Sequence, residues 1–292
     1  MKNLLNISDL NQSDFDEILK FANEIDINNE NCLSGKNIGL IFEKNSTRTR
    51  LSFQVGIRQL KGNYIDIKLN ELNLQRIETF EDTFEVMSCY LDCIIFRTTD
   101  HEKLKLAFNF FNKPIINALS NLSHPCQAIS DIFTLREHFK KKDNFEIVWL
   151  GDLNNILYSH IECLNFLKNS RIHIITDKKI YEKNKKFLQL SDQIKINFEL
   201  DEKILKNADC IMTDVYNSMN DTEDKEPILK KFQVNQNLMN MTSDKTIFMH
   251  CLPAKIGSEV TKDVIKGEKS IVLQQAKNRM VAQRGILKWL NL

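Results

Sequence analysis

Several common signals are missing from this 292-residue sequence, and each absence excludes something. Charge of one sign is missing. The 40 basic residues stand against 39 acidic ones, a formal balance of +1, so no acidic polymer or membrane surface is implied as a partner. The lysine-rich stretches 140–142 and 183–186 carry no interleaved aromatics and read as solvated faces, not as a nucleic-acid platform. No apolar run approaches the roughly 18 residues of a membrane span. The opening MKNLLNISDLNQ also lacks the apolar core of a signal peptide. None of the seven cysteines (32, 89, 93, 126, 163, 210 and 251) forms a C-x-x-C pair. A disulfide framework and a structural zinc are thereby disfavoured, and reduced thiols in a cytoplasmic protein fit better. Glycine is scarce, at eight residues, and no repeats, coiled-coil heptads or low-complexity linkers occur.

What is present is an alternation. Apolar runs at 38–42, 64–67, 93–97 and 114–119 interleave with helix-length amphipathic stretches near 47–61, 79–91, 101–111 and 124–139. A first helix at 12–25 precedes them, with Ser13 as its expected N-cap. After a polar reset at 140–144 the pattern resumes with 146–152, a helix near 155–168, then 171–176, 209–215 and 246–252. This order predicts an α/β protein of two domains, each a parallel β-sheet flanked by helices. The expected domains are 1–139 and 140–274, with a C-terminal helix at 275–292 returning to the first.

Ligands of open parallel sheets bind beyond the carboxyl ends of the strands, and the unusual polar clusters fall there. Behind 38-IGLIF-42 comes 45-NSTRTRLSF-53, a helix start capped by Ser46 or Thr47, with Gly62 suited to the C′ position at its far end. Arg48 and Arg50 add fork-shaped donors to the free N–H groups of that helix start, the makings of an anion site. The stretch lacks the glycines and terminal lysine of a P-loop, which argues against a nucleotide phosphate. Arg97 ends a strand, and 124-HPCQ-127 places His124 and Gln127 one turn apart at another helix start. In the second half, 151-GDLNNI-156 imitates a dinucleotide turn without G-x-G-x-x-G spacing. Asp214 precedes Ser218 by four residues, a placement that could hold an ammonium. Cys251 follows a buried strand directly, and Arg279 precedes an apolar helix. Taken singly, each has a plain structural reading as a cap, a rim charge or a packed side chain.

Together, STRTR at 46–50, HPCQ at 124–127, DVYNSM at 214–219, HCLP at 250–253 and NRM at 278–280 resemble the aspartate/ornithine carbamoyltransferases, in order and spacing over nearly the whole chain. HCLP with D-x-x-x-S-M is similar to the ornithine branch. The resemblance implies carbamoyl transfer from carbamoyl phosphate to the δ-amine of L-ornithine, with no metal, cofactor or covalent intermediate, in a homotrimer or an assembly of trimers. It implies that Ser46, Thr47, Arg48, Thr49, Arg50, Arg97, His124, Gln127, Cys251, Leu252 and Arg279 bind carbamoyl phosphate. Asn155, Asp214, Ser218 and Met219 would bind ornithine, and Arg97, His124 and Cys251 would be catalytic. Asn73 would reach a neighbouring subunit.

The chain departs from the family pattern at Gln54, where a glutamate is usual, at Asn73 and Gln75 in a loop usually reading Q-x-G, and at Asn220 after Ser-Met. A sibling transferase for putrescine or an N-acylated ornithine, a non-catalytic carbamoyl-phosphate binder and a dinucleotide oxidoreductase stand as alternatives.

Overall fold

The computed structural model describes residues 1–44, 46–69, 78–140, 143–217 and 223–292. By backbone contacts the chain forms two compact units, Met1–Phe133 with Lys277–Leu292, and Thr134–Ala276.

In unit 1, four parallel strands, β1 (Asn37–Phe42), β2 (Asn63–Ile67), β3 (Cys93–Arg97) and β4 (Ile115–Leu119), lie in the order β2-β1-β3-β4. The helices are α1 (Gln12–Glu24), α2 (Thr47–Gln59), α3 (Phe80–Tyr90), α4 (His101–Phe110) and α5 (Pro125–His138), which runs on into unit 2. In unit 2 the strands β5 (Glu146–Leu150), β6 (Arg171–Ile175), β7 (Ile194–Asn197), β8 (Cys210–Thr213) and β9 (Ile247–His250) take the order β7-β6-β5-β8-β9, again all parallel. Its helices are α6 (Asn155–Cys163), α7 (Lys178–Asn184), α8 (Glu202–Asn207), α9 (Glu226–Leu229), α10 (Gln236–Asn240) and α11 (Lys262–Ile265). The last helix, α12 (Val272–Leu290), starts in unit 2 and ends in unit 1.

Helix α1 shows how sequence becomes packing. Asn11, not Ser13, is its N-cap: the Asn11 side chain accepts from the Asp14 N–H at 2.9 Å and the Asp14 carboxylate accepts from the Asn11 N–H at 3.3 Å, a reciprocal capping box. The cap lies two residues earlier than expected: both candidates have an acid three residues downstream, but Asp14 closes the box on Asn11 while Asp16, the acid three residues beyond Ser13, accepts from Gln12 Nε2 at 3.0 Å. The buried face is Phe15, Ile18, Leu19 and Ala22, a helical stripe. Helix α12 lies close against it, since a Cβ on Gly285 would meet the Ile18 carbonyl at 2.5 Å and the Ala22 nitrogen at 2.9 Å. Trp289 Nε1 donates to Asp14 Oδ1 at 2.9 Å, joining the end of α12 to the start of α1. The C-terminal helix thus returns to the N-terminal unit.

Helix α2 ends differently from the expectation. The Gly62 N–H donates to the Ile57 carbonyl at 2.9 Å and the Lys61 N–H to Arg58 at 3.0 Å, a Schellman closure whose left-handed residue is Lys61, with φ of 66°. Gly62 is needed one position later for space, because a Cβ there would lie 2.8 Å from Leu33 Cβ. Strand β7 was not expected at all. It is short and flanks the sheet, and of its residues only Ile194 is buried, so it carries little apolar periodicity.

Candidate active site

Each sheet reverses strand order once, and the candidate residues gather where it does. In unit 1 the reversal lies between β1 and β3. Ser46 occupies the N-cap position of α2, yet its side chain makes no cap bond. Its hydroxyl instead accepts from Arg97 Nη1 at 2.8 Å. Arg97 pairs with Phe42 across β1 and β3, and a register shift between Phe96 and Arg97 in the β3–β4 pairing re-aims the residue at the strand end. Buried Thr49 bridges two guanidinium groups, its Oγ1 lying 3.4 Å from Arg97 Nη1 and 3.4 Å from Arg279 Nη2. Arg279 Nη1 donates to Gln127 Oε1, and its Nη2 lies 3.2 Å from His124 Nε2. A guanidinium has only donors, so that ring nitrogen is the acceptor and the imidazole proton sits on Nδ1.

Two ordered turns support this cluster. The Glu43 carboxylate accepts from Thr98 Oγ1 at 2.6 Å, the Thr99 N–H at 2.9 Å and Lys103 Nζ at 2.8 Å, tying the turn after β1 to the turn after β3. Burial pushes the Glu43 carboxyl pKa up, but the bonds from Lys103, Thr98 and Thr99 outweigh it and the net shift is downward. His101 Nδ1 lies 2.7 Å from Ser120 Oγ, at the turn that delivers His124 to the start of α5. Of the remaining expected residues, Thr47 and Arg48 are exposed. Arg50 is engaged elsewhere, its Nε 3.7 Å from Asp66 and its guanidinium over the Phe42 ring. Gln54, also on α2, donates to Asp66 at 2.8 Å, so the missing family carboxylate is here a neutral amide partner of an acid on β2.

In unit 2 the reversal lies at β5, and the ends of β5, β8 and β9 stand side by side. Asp214, just past β8 and buried, is held from both sides. Asn154 Nδ2 donates to its Oδ2 at 2.8 Å, and Cys251 Sγ donates to its Oδ1 at 3.0 Å. Asn154 also caps α6, its Oδ1 accepting from the N–H groups of Ile156 at 3.1 Å and Leu157 at 3.3 Å. Asn155, expected to bind the amino acid, is the first residue of that helix. Leu252 takes a left-handed φ of 56°, and its N–H donates to His250 Nδ1 at 2.9 Å. His250 Nε2 therefore carries the proton, and it donates to Glu259 Oε1 at 3.1 Å within the core. Asp214, His250 and Cys251 bring ligand-type atoms within 4.8 Å of one another. Both His250 nitrogens are spent on Glu259 and Leu252, so the trio presents no open imidazole lone pair to a cation.

Asn73, Ser218 and Met219 lie outside the described residues, as do Gln75 and Asn220. The chain on either side of 218–222 is tied at its base. Asn217 Nδ2 donates to Asp224 at 2.7 Å, the Lys225 N–H donates to Asn217 at 2.8 Å, and Lys225 Nζ donates to buried Asp152 at 2.8 Å. Asn154, Glu43 and the Asp152–Lys225 pair were not anticipated. The doubled asparagine at 154–155 was the available signal for the first, since a cap needs one residue before the helix.

Comparison with known proteins gives the same pairing of halves. Residues 2–137 match the aspartate/ornithine carbamoyltransferase carbamoyl-P binding domain, and residues 143–290 match the Asp/Orn binding domain of that family. The ornithine carbamoyltransferase of Methanocaldococcus jannaschii is 37% identical over 98% of each chain. That of Rhodopseudomonas palustris is 40% identical over 93% of this chain and 88% of its own. The solved ornithine carbamoyltransferase from Pyrococcus furiosus superposes with a TM-score of 0.89 at 34% identity, covering 98% of this chain and 96% of its own. The anabolic enzyme from Campylobacter jejuni superposes with a TM-score of 0.87 at 30% identity over 99% of each chain. With both halves matched and relatives aligned from end to end, the chain belongs to the aspartate/ornithine carbamoyltransferase family.

Proposed function

We propose that this protein transfers the carbamoyl group of carbamoyl phosphate to the δ-amine of L-ornithine, giving L-citrulline and phosphate. The observation that carries the reading is the pair of clusters of opposite character. One is built on two guanidinium groups around Ser46 and Thr49, the other on a carboxylate between a thiol and an amide. The first suits a small phosphorylated electrophile, the second an amino acid's ammonium.

In the reaction the neutral amine attacks the carbonyl carbon. A C–N bond forms, the bond from carbon to the phosphate oxygen breaks, and the proton that the amine gives up ends on the departing phosphate. Phosphate gains charge as it leaves, bound by Ser46, Thr47 and Arg48 at the start of α2 and by Arg97 at the end of β3, with Gln127 and Arg279 alongside. Thr49, Arg97 and neutral His124 are assigned to the carbonyl oxygen as it turns anionic. One preorganised donor of that kind is worth ~3 kcal/mol of transition-state stabilisation. Holding the two reactants in attack geometry supplies on the order of 7–11 kcal/mol at best. Asp214 would grip the α-ammonium with Asn155, Ser218 and Met219. Cys251 and Leu252 would touch the carbamoyl group and the amine.

A homotrimer, a cytoplasmic setting and service in arginine biosynthesis belong to the same reading. The family resemblance supports the first, and the anabolic Campylobacter jejuni relative supports the last. Among the described residues no helix is long and apolar enough to cross a membrane. The deciding experiment measures citrulline formed from carbamoyl phosphate and ornithine, beside putrescine and N-acetylornithine. Turnover with another amine but none with ornithine would overturn the assignment.

A further inference from the structure

Gln127 was expected to bind carbamoyl phosphate, and here both ends of its amide bond within the protein. Its Nε2 donates to Asp131 Oδ1 at 2.7 Å, and its Oε1 accepts from Arg279 Nη1. Asp131 lies one turn further along α5 and is fully buried, in a stretch that the motif HPCQ does not include. A carboxylate only accepts and a guanidinium only donates, so the amide between them has a single workable orientation. Arg279 Nη2 then lies 3.2 Å from His124 Nε2, which makes that nitrogen an acceptor and leaves the proton on Nδ1. The four groups form one directed line in unit 1, from a buried carboxylate through an amide and a guanidinium to an imidazole. Interposing the amide has a geometric effect. A direct carboxylate–guanidinium pair engages two parallel N–H groups of the fork, whereas the amide oxygen engages one nitrogen and leaves the other aimed at Thr49 and His124.

We infer that Asp131 is a positioning residue for the proposed transfer, acting through Gln127 to aim Arg279 and so to fix which nitrogen of His124 bears its proton. The inference rests on the functional reading above only for its kinetic consequence. Asp131→Asn keeps the shape of the side chain but gives it donors, so the Gln127 amide gains a second orientation in which its NH2 faces Arg279. The guanidinium then loses the amide bond that aims it, and the imidazole is freer to exchange tautomers.

The test combines nitrogen-15 NMR of histidine-labelled protein with steady-state kinetics, His124 being assigned by its loss in His124→Gln. The ligand-free wild type is expected to show His124 protonated on Nδ1. Asp131→Asn is expected to shift it toward the Nε2-protonated form, to lower kcat at least tenfold and to leave the ornithine KM within twofold. A His124 protonated on Nε2 in the wild type overturns the inference, whatever the variants do. So does an Asp131→Asn protein that keeps both the wild-type tautomer and kcat. Should Asp131→Asn fail to fold, Gln127→Met breaks the same line at its middle and is expected to give the same tautomer shift. An unshifted signal there counts against the relay. If the wild type makes no citrulline, the functional reading fails, while the tautomer measurement, which needs no turnover, still decides the relay.

Discussion

The two clusters solve opposite problems with the same architecture. Both sit where a parallel sheet reverses its strand order, and both borrow a residue from the N-cap position of the following helix. In unit 1 that residue is Ser46, whose hydroxyl forgoes capping and accepts from Arg97. In unit 2 it is Asn154, which caps α6 with its oxygen and still reaches Asp214 with its nitrogen. A hydroxyl between guanidinium groups orients positive charge without cancelling it. An amide and a thiol beside a carboxylate do the same for negative charge. The difference teaches that the sign of a site is set by which formal charges are left to neutral neighbours, not by the net charge of the chain, which is only +1.

That contrast can be broken most sharply at Arg97. Arg97→Ala removes the group that spans Ser46 and Thr49, and it is expected to lower kcat by ~10²–10³, or about 3–4 kcal/mol, in a citrulline assay at saturating ornithine. Loss confined to the ornithine KM would contradict the division of labour between the units. The next effect separates the units by pH. Burial holds His160, on α6 of unit 2, neutral in the fold with its pKa pushed down to about 4. Its folded value is depressed below the ordinary 6.5, so its stabilising effect is complete above pH 6.5 and is lost as pH falls toward 4. The loss reaches at most ~3 kcal/mol. Denaturant melts of His160→Gln between pH 7 and pH 4 should show a flatter acid limb than the wild type.

A smaller change is expected at Asp214. Asp214→Ala should raise the ornithine KM by roughly 30-fold, about 2 kcal/mol, and leave the carbamoyl-phosphate KM within a few-fold. A reversed pattern in the two constants would exchange the roles of the clusters. The smallest effect tests the scaffold of unit 1. Asn11→Ala should cost ~1 kcal/mol in a thermal or denaturant melt, while Ser13→Ala should change little.

Much of the fold was legible because strand ends and apolar stripes are local. The runs that became β1, β3, β5 and β9 lie within a few residues of their expected bounds, and so do α1 to α5. What the sequence hid was reciprocity. Ser13 and Asn11 are both good caps, each with an acid three residues on, so the motif alone selects neither; in the fold it is Asp14 that closes on Asn11. Gly62 looked like the left-handed residue of a helix end, but tertiary contact with Leu33 claimed it and left that conformation to Lys61. The clustering of Ser46, Thr49, Arg97, His124, Gln127 and Arg279 was implied by the family resemblance, whereas strand-end placement alone left each its plain structural reading. The partners that aim them, buried Asp131 and half-buried Glu43, have no sequence signature, because each carboxylate acts only through groups brought to it by folding.

The return of α12 to α1 also governs when unit 1 can be finished. Residues 134–276 intervene between its two segments. At a synthesis rate of ~5–20 residues per second, that interval is roughly 7–30 s. Until residues 277–292 emerge, α1 faces solvent along part of its apolar side, and its backbone at Ile18 and Ala22 has no Gly285 to close against it. During translation unit 1 is therefore the later one to close, although residues 1–133 precede unit 2. Arg279 arrives with the segment that completes it.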